Sequence, residues 1–177
     1  MRIAILGTLL FAAPAFASGF PPRAPELRAL DVQTGHWIYH GTTTPGKAGG
    51  KPGTFTWDEH CGWSANQLFL VCSFDNDWSG RKVQSLVVDT WNTQDKSYWH
   101  YEMFAVGSGG AKPFASRMRI RGNTWTEDGE EVVHGKKRYE RISYVYASPT
   151  EVTVKIEVSP DQKHWKTILA GNGVKQP

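Results

Sequence analysis

The stretch TFTWDEHCGWSANQLFLVCSF, residues 54–74, decides how this chain folds. β-Branched and aromatic residues run from Thr54 to Trp63 and again from Leu68 to Phe74, with Asn66-Gln67 between them as a turn. Read as a hairpin, residues whose numbers sum to 133 face each other, which sets Cys61 opposite Cys72. Directly opposed Cβ atoms of an antiparallel pair lie about 4.5–5.5 Å apart, which needs little adjustment to reach disulfide geometry. A structural disulfide is expected, with a reactive or metal-binding cysteine pair as the alternative.

The same pattern extends in both directions from this hairpin. Strands are predicted at Gly35–Gly41, Thr54–Cys61, Leu68–Asp75, Val83–Trp91, Tyr98–Val106, Ser116–Arg121, Thr124–Glu127, Arg138–Ala147, Glu151–Ser159 and Trp165–Gly171. Pro-Gly, Asn-Asp, Asp-Gly, Ser-Pro and Asn-Gly pairs punctuate them. A short helix is expected around Pro25–Leu30, and no segment sustains a helical period over three turns. The chain is therefore all-β, either a sandwich or an up-and-down antiparallel barrel, and closure into a barrel removes sticky edges.

Ahead of this domain, Arg2 precedes an apolar stretch Ile3–Ala13, then Pro14 and Ala15-Phe16-Ala17. That is the pattern of a secretory signal with cleavage near Ala17, leaving residues 18–177 as one domain. The expected location is periplasmic or secreted, an oxidising compartment in which an even cysteine count favours a disulfide. The apolar stretch is shorter than the roughly 20 residues of a spanning helix, so no membrane span is expected.

The 177 residues carry a net charge of +3 and are 40% hydrophobic, enough to fill a core and contrary to disorder. Without the first 17 residues, 19 basic side chains stand against 17 acidic ones. So balanced a chain is not expected to bind nucleic acid.

The first predicted strand opens Gly35-His36-Trp37, after the short helix. This Gly-x-Trp resembles the signature of lipocalins and the wider calycin superfamily, in which the Trp plugs the barrel floor. Cys61 with Phe69-Leu70-Val71-Cys72, and Ser148-Pro149 followed by Glu157-x-Ser159-x-Asp161-x-x-x-Trp165, extend the likeness over most of the chain. Together they resemble a bacterial family of small secreted calycin-like barrels of unknown function. Gln162 departs from that pattern, in which a Gly usually follows the Asp. The resemblance implies a closed barrel of 8–10 strands with an internal cavity, and supplies no reaction.

Several apparent signatures fail on chemistry. Gly41-Thr-Thr-Thr-Pro-Gly46-Lys47 has phosphate-loop spacing, but Ala48 stands where a Ser or Thr must bind magnesium, and no helix pattern follows. His36 and His40 would chelate on a helix, yet on a strand they lie roughly 13 Å apart. The remaining histidines, His60, His100, His134 and His164, are scattered, so no metal and no cofactor are expected. There is no Gly-x-Ser-x-Gly elbow for a serine hydrolase.

The barrel interior remains. Alternation puts Phe55, Trp57, Glu59 and Cys61 on one side of their strand, with Leu70, Cys72 and Phe74 beside them, without deciding which side is the lumen. On the fifth strand both faces are mixed. If the valine face of Val152–Val158 packs outward, Glu157 points into the lumen, where it could meet Arg141; a surface ion pair is the alternative. The expected ligand-binding residues are Trp37, Tyr39, Trp57, Trp91, Tyr98, His100, Tyr101, Arg141 and Glu157.

These readings favour an exported binding protein for a small apolar or aromatic molecule, monomeric or dimeric, with rings stacking on the ligand and His100 or Arg141 holding a polar end. An alternative is a lyase or isomerase with an acid/base pair inside the barrel, drawn from His100, Glu157 and Tyr98. Another is an envelope interaction module with a packed lumen.

Overall fold

The computed structural model describes residues 21–44, 52–106, 110–133 and 135–177. Residues 1–17, expected to be a secretory signal, Gly46 and Lys47 of the rejected phosphate loop, and His134 lie outside them. A 3₁₀ helix, Pro25–Gln33, leads into ten strands: β1 Gly35–Thr43, β2 Gly53–Trp63, β3 Leu70–Trp78, β4 Arg81–Asn92, β5 Ser97–Val106, β6 Gly110–Arg121, β7 Thr124–Val133, β8 Lys136–Ser148, β9 Glu151–Ser159 and β10 Lys166–Lys175. Each strand pairs antiparallel with its neighbours in sequence, and β10 returns to β1, closing the barrel. All ten predicted strands are present, most of them longer than the sequence suggests.

The helix is 3₁₀ rather than α for a reason visible in its buried side. Leu27, Leu30 and Gln33 are its buried residues, spaced by three, and three residues per turn stacks them in one stripe. Side chains from four strands fasten it over one end of the barrel. Trp37 Nε1 donates to the Gln33 carbonyl at 2.9 Å, Trp63 Nε1 to Asp31 at 2.9 Å, Tyr98 Oη to the Glu26 carbonyl at 2.8 Å, and Lys175 Nζ to the Val32 carbonyl at 3.2 Å. Trp37 itself is fully buried beneath this cap.

The β2–β3 register pairs Cys61 with Cys72 and Phe55 with Trp78, as the sum of 133 requires, and Cys61–Cys72 is a disulfide. The loop it closes is short, so replacing both cysteines by Ser is expected to cost about 2 to 3 kcal/mol. Urea denaturation of the variant checks this, and an unchanged midpoint would contradict a structural role.

The Phe55 face of β2 is the lumen face. Bulky rings fit there because small residues stand opposite. Gly41 and Gly171 are register partners, and a Cβ on either would meet the Phe55 ring within 2.7 Å. On β9 the sequence expectation is reversed: Val152, Val154 and Ile156 are buried toward the lumen, while Glu157 lies on the outer face with Lys155, at 3.1 Å. The apolar side of a strand goes where water is absent, and in a closed barrel that is the inside. At the β9–β10 turn Gln162 has φ of 62°, the left-handed conformation that glycine adopts most readily, so the glycine-favouring position tolerates glutamine. The Asp161 carboxylate supports the turn by accepting the Lys163 and His164 amides, both at 2.9 Å.

Candidate functional site

The lumen is lined with more ionisable groups than the sequence reading placed there. β4 and β5 pair Asp89 with His100, and β6 brings Ser116 opposite His100. His100 Nδ1 lies 2.9 Å from Asp89 Oδ1 and 3.7 Å from Glu127 Oε1, and its Nε2 lies 3.8 Å from Glu102. Ser116 Oγ donates to Glu127 at 3.4 Å. Toward the capped end, Gln33 Nε2 donates to Glu59 Oε1 at 2.7 Å, so the helix contributes directly to the lumen. Asp89, His100, Ser116, Glu127 and Glu59 are all buried.

Burial sets the protonation chemistry. It pushes Glu59 up to about 7 against the opposing Gln33 hydrogen bond, and Glu127 up to about 7 against the nearby His100. For His100, burial works to lower the value, but Glu127 and Asp89 together outweigh it and hold the imidazole well above its ordinary value. Burial, then the Glu127 and Glu59 carboxylates, raise the Tyr144 phenol. Around neutral pH one imidazolium thus lies beside the carboxyl groups of Asp89, Glu102 and Glu127, and Glu59 and Glu127 are poised to exchange protons.

Several buried polar atoms of the lumen make no hydrogen bond within the protein. Trp57 Nε1, Asn76 Oδ1, Ser85 Oγ and His100 Nε2 are buried without a hydrogen bond. Trp57 and Asn76 are cross-strand partners, and β4 carries Ser85 alongside. Buried polar groups are ordinarily satisfied, and this wall holds two acceptor-capable oxygens and the Trp57 N–H without a partner.

The expected site residues fall into three sets. Tyr39, Trp57 and His100 face the lumen. Trp37, Trp91 and Tyr98 belong to the capped end, where Trp91 meets Tyr98 edge-on at 4.8 Å. Tyr101, Arg141 and Glu157 are corrected to the outer surface. Tyr101 is 46% exposed and stacks on Trp99. Arg141 donates from Nε to Asp128 at 3.0 Å and lies 4.1 Å above the Trp165 ring. All three sit on the strand face opposite to the buried set, the parity that alternation leaves outside once the lumen face is fixed. Arg138, two residues before Arg141's neighbour Glu140, pairs through Nε with Glu131 at 2.9 Å near the end away from the helix.

Glu59, Asp89, Glu102 and Glu127 were missing from the expected set. A signal existed for Asp89: it interrupts the apolar run Leu86-Val87-Val88, and a turn at Thr93–Lys96 puts it opposite His100. Two groups among the described residues bring three metal-capable side chains together: Glu59 with Cys61 and Cys72, and His36 with Asp58 and His60. The sulfurs of the first are consumed by the disulfide and offer no thiolate.

No protein-family model and no curated protein matches the chain. Among solved structures the chain is similar to Rv2717c from M. tuberculosis, with a TM-score of 0.56 and 13% sequence identity, over 88% of this chain and 99% of that one. At that identity the likeness shows the fold alone: the ten strands form a closed antiparallel barrel of a kind already seen.

Proposed function

We propose that the protein is an exported, calycin-like binding protein that takes a small molecule with an apolar or aromatic body and a hydrogen-bond-donating or cationic end into its lumen. The observation that carries this reading is the wall of buried polar atoms without a hydrogen bond, Trp57 Nε1, Asn76 Oδ1 and Ser85 Oγ, set beside aromatic rings. The Gly35-x-Trp37 element under the helix supports the calycin resemblance, and the disulfide is consistent with an oxidising compartment. Four carboxyl groups against one imidazole favour a donor or cation at the ligand's polar end. A solidly packed interaction module would not leave such groups unsatisfied.

Native mass spectrometry of protein purified from its own host tests this, with tryptophan fluorescence following saturable uptake of an alkylamine and its matched carboxylic acid. The amine is expected to bind and the acid not. Glu127→Gln, which removes a charge-assisted partner, should weaken amine binding about 10- to 100-fold. Absence of both a co-purifying molecule and saturable binding would overturn the reading.

The Asp89–His100 contact of 2.9 Å favours a second reading, a lyase or isomerase. Asp89 holds one ring nitrogen, leaving Nε2 as the acid or base toward the lumen. Turnover of the bound molecule, lost in His100→Asn while binding persists, would select it.

A further inference from the structure

The structure assigns a second site, a divalent transition-metal site on the outer face of β1 and β2, built from His36, Asp58 and His60. The β1–β2 register sets His36 directly opposite His60 and Ile38 opposite Asp58, so the carboxylate sits diagonally between the two imidazoles. The rings stack at 4.0 Å between centroids, 15° from parallel. Their Nε2 atoms converge on the same oxygen, Asp58 Oδ1, at 2.9 Å for His36 and 3.2 Å for His60. All three ligand atoms lie within 4.8 Å of one another.

The two nitrogen–oxygen separations match coordination geometry. Nitrogen and oxygen ligands at about 2.0–2.1 Å from a tetrahedral zinc ion lie about 3.3 Å from each other. A shared ion must lie in the plane of each imidazole at its Nε2, so the two stacked rings turn about their side-chain torsions to bring both lone pairs and Asp58 Oδ1 onto one point. A rigid sheet supplies the backbone positions, so little ordering is needed on binding. The side chains are one-third to three-fifths exposed, which leaves the ion an entry path and a fourth position for water.

The donor set decides the metal class. Two imidazoles and one carboxylate, with no thiolate, suit zinc and copper(II), with nickel(II) behind them, over magnesium or calcium. The surroundings are compatible with a cation: Asp75 is the register partner of Asp58 on β3, and Asp58 forms ion pairs only with the two histidines among the described residues. This site lies outside the barrel and is independent of whatever the lumen binds.

Isothermal titration of the full-length, tag-free chain with Zn2+, and separately Cu2+, tests it, with imidazole nitrogen NMR shifts identifying the ligands. One ion per chain is expected, with the His36 and His60 resonances moving together. Melting temperature should rise with added Zn2+ and fall back with chelator. His36→Gln or His60→Gln should each weaken binding at least 10- to 100-fold, as loss of a ligand costs no less than loss of its supporting shell. His40→Gln and His164→Gln should leave it unchanged. The assignment is overturned if saturating Zn2+ leaves the His36 and His60 resonances in place, or if the double variant of those two residues binds as the natural chain does.

Discussion

Trp37→Ala is expected to cost about 3 to 5 kcal/mol of stability, the range for emptying a buried aromatic site. Trp37 is fully buried, with Tyr146 edge-on at 5.9 Å, Tyr39 at 6.2 Å and the Lys175 ammonium 5.4 Å from its ring. Truncation opens a cavity at the point where helix and barrel meet. It also strips the Gln33 carbonyl of the indole N–H, in a residue whose side chain holds Glu59. Trp37→Phe separates the two losses, because it keeps most of the ring and removes the donor, at about 1 to 3 kcal/mol. Urea midpoints of both variants give the test. A Trp37→Ala cost below 1 kcal/mol would mean that the helix does not depend on this ring.

The barrel should also lose stability as the pH rises from 5 to 8. Glu59 and Glu127 sit at about 7 when folded, against 4.5 for an ordinary glutamate. Between those values the folded chain retains protons that the unfolded chain has released, so rising pH favours unfolding. The stabilisation is complete below about pH 4.5 and is lost as pH passes through 7, on the order of 3 kcal/mol for each carboxyl. His100 acts in the same direction, because its folded value is raised and its contribution disappears at still higher pH. Asp161, Asp77 and Asp95 are held below their ordinary values by hydrogen bonds, and that contribution is lost only in acid, outside this window. Melting temperatures measured from pH 5 to 8 should therefore fall, and Glu59→Gln, which keeps the shape without the charge, should flatten the slope. A melting temperature that rises over this range would contradict the assignment.

Local chemistry made much of the fold legible. The Cys61–Cys72 pairing follows from a short turn, because a tight connection fixes register. The strands follow from alternation and turn residues, although hydrogen bonding carries β6 and β7 well beyond their β-rich segments. The faces were not legible. Alternation sorts side chains into two sets, and only closure says which set is inside; for β9 the valines went in and Glu157 went out. Arg141 shows the same gap, since its partners Asp128 and Trp165 come from outside the β8–β9 hairpin. His36 and His60 were hidden differently. Spacing along one strand correctly separates His36 from His40, but the segment joining β1 to β2 is too long to fix a register, so the histidine opposite could not be read.

The seam between β1 and β10 has a consequence for how the chain reaches this structure. Thr44 bonds to Thr167, 123 positions further along the chain, and Trp37 pairs with Lys175. Every other strand finds both neighbours among the segments next to it in sequence. The seam alone must wait for the whole meander, so β1 and β10 remain unpaired edges until the final step. Such distant pairing slows folding and lengthens the time in which an open edge can recruit another chain. Lys175, reaching the Val32 carbonyl, and Gln176, donating its amide to His36, then act as the latch that ends that exposure.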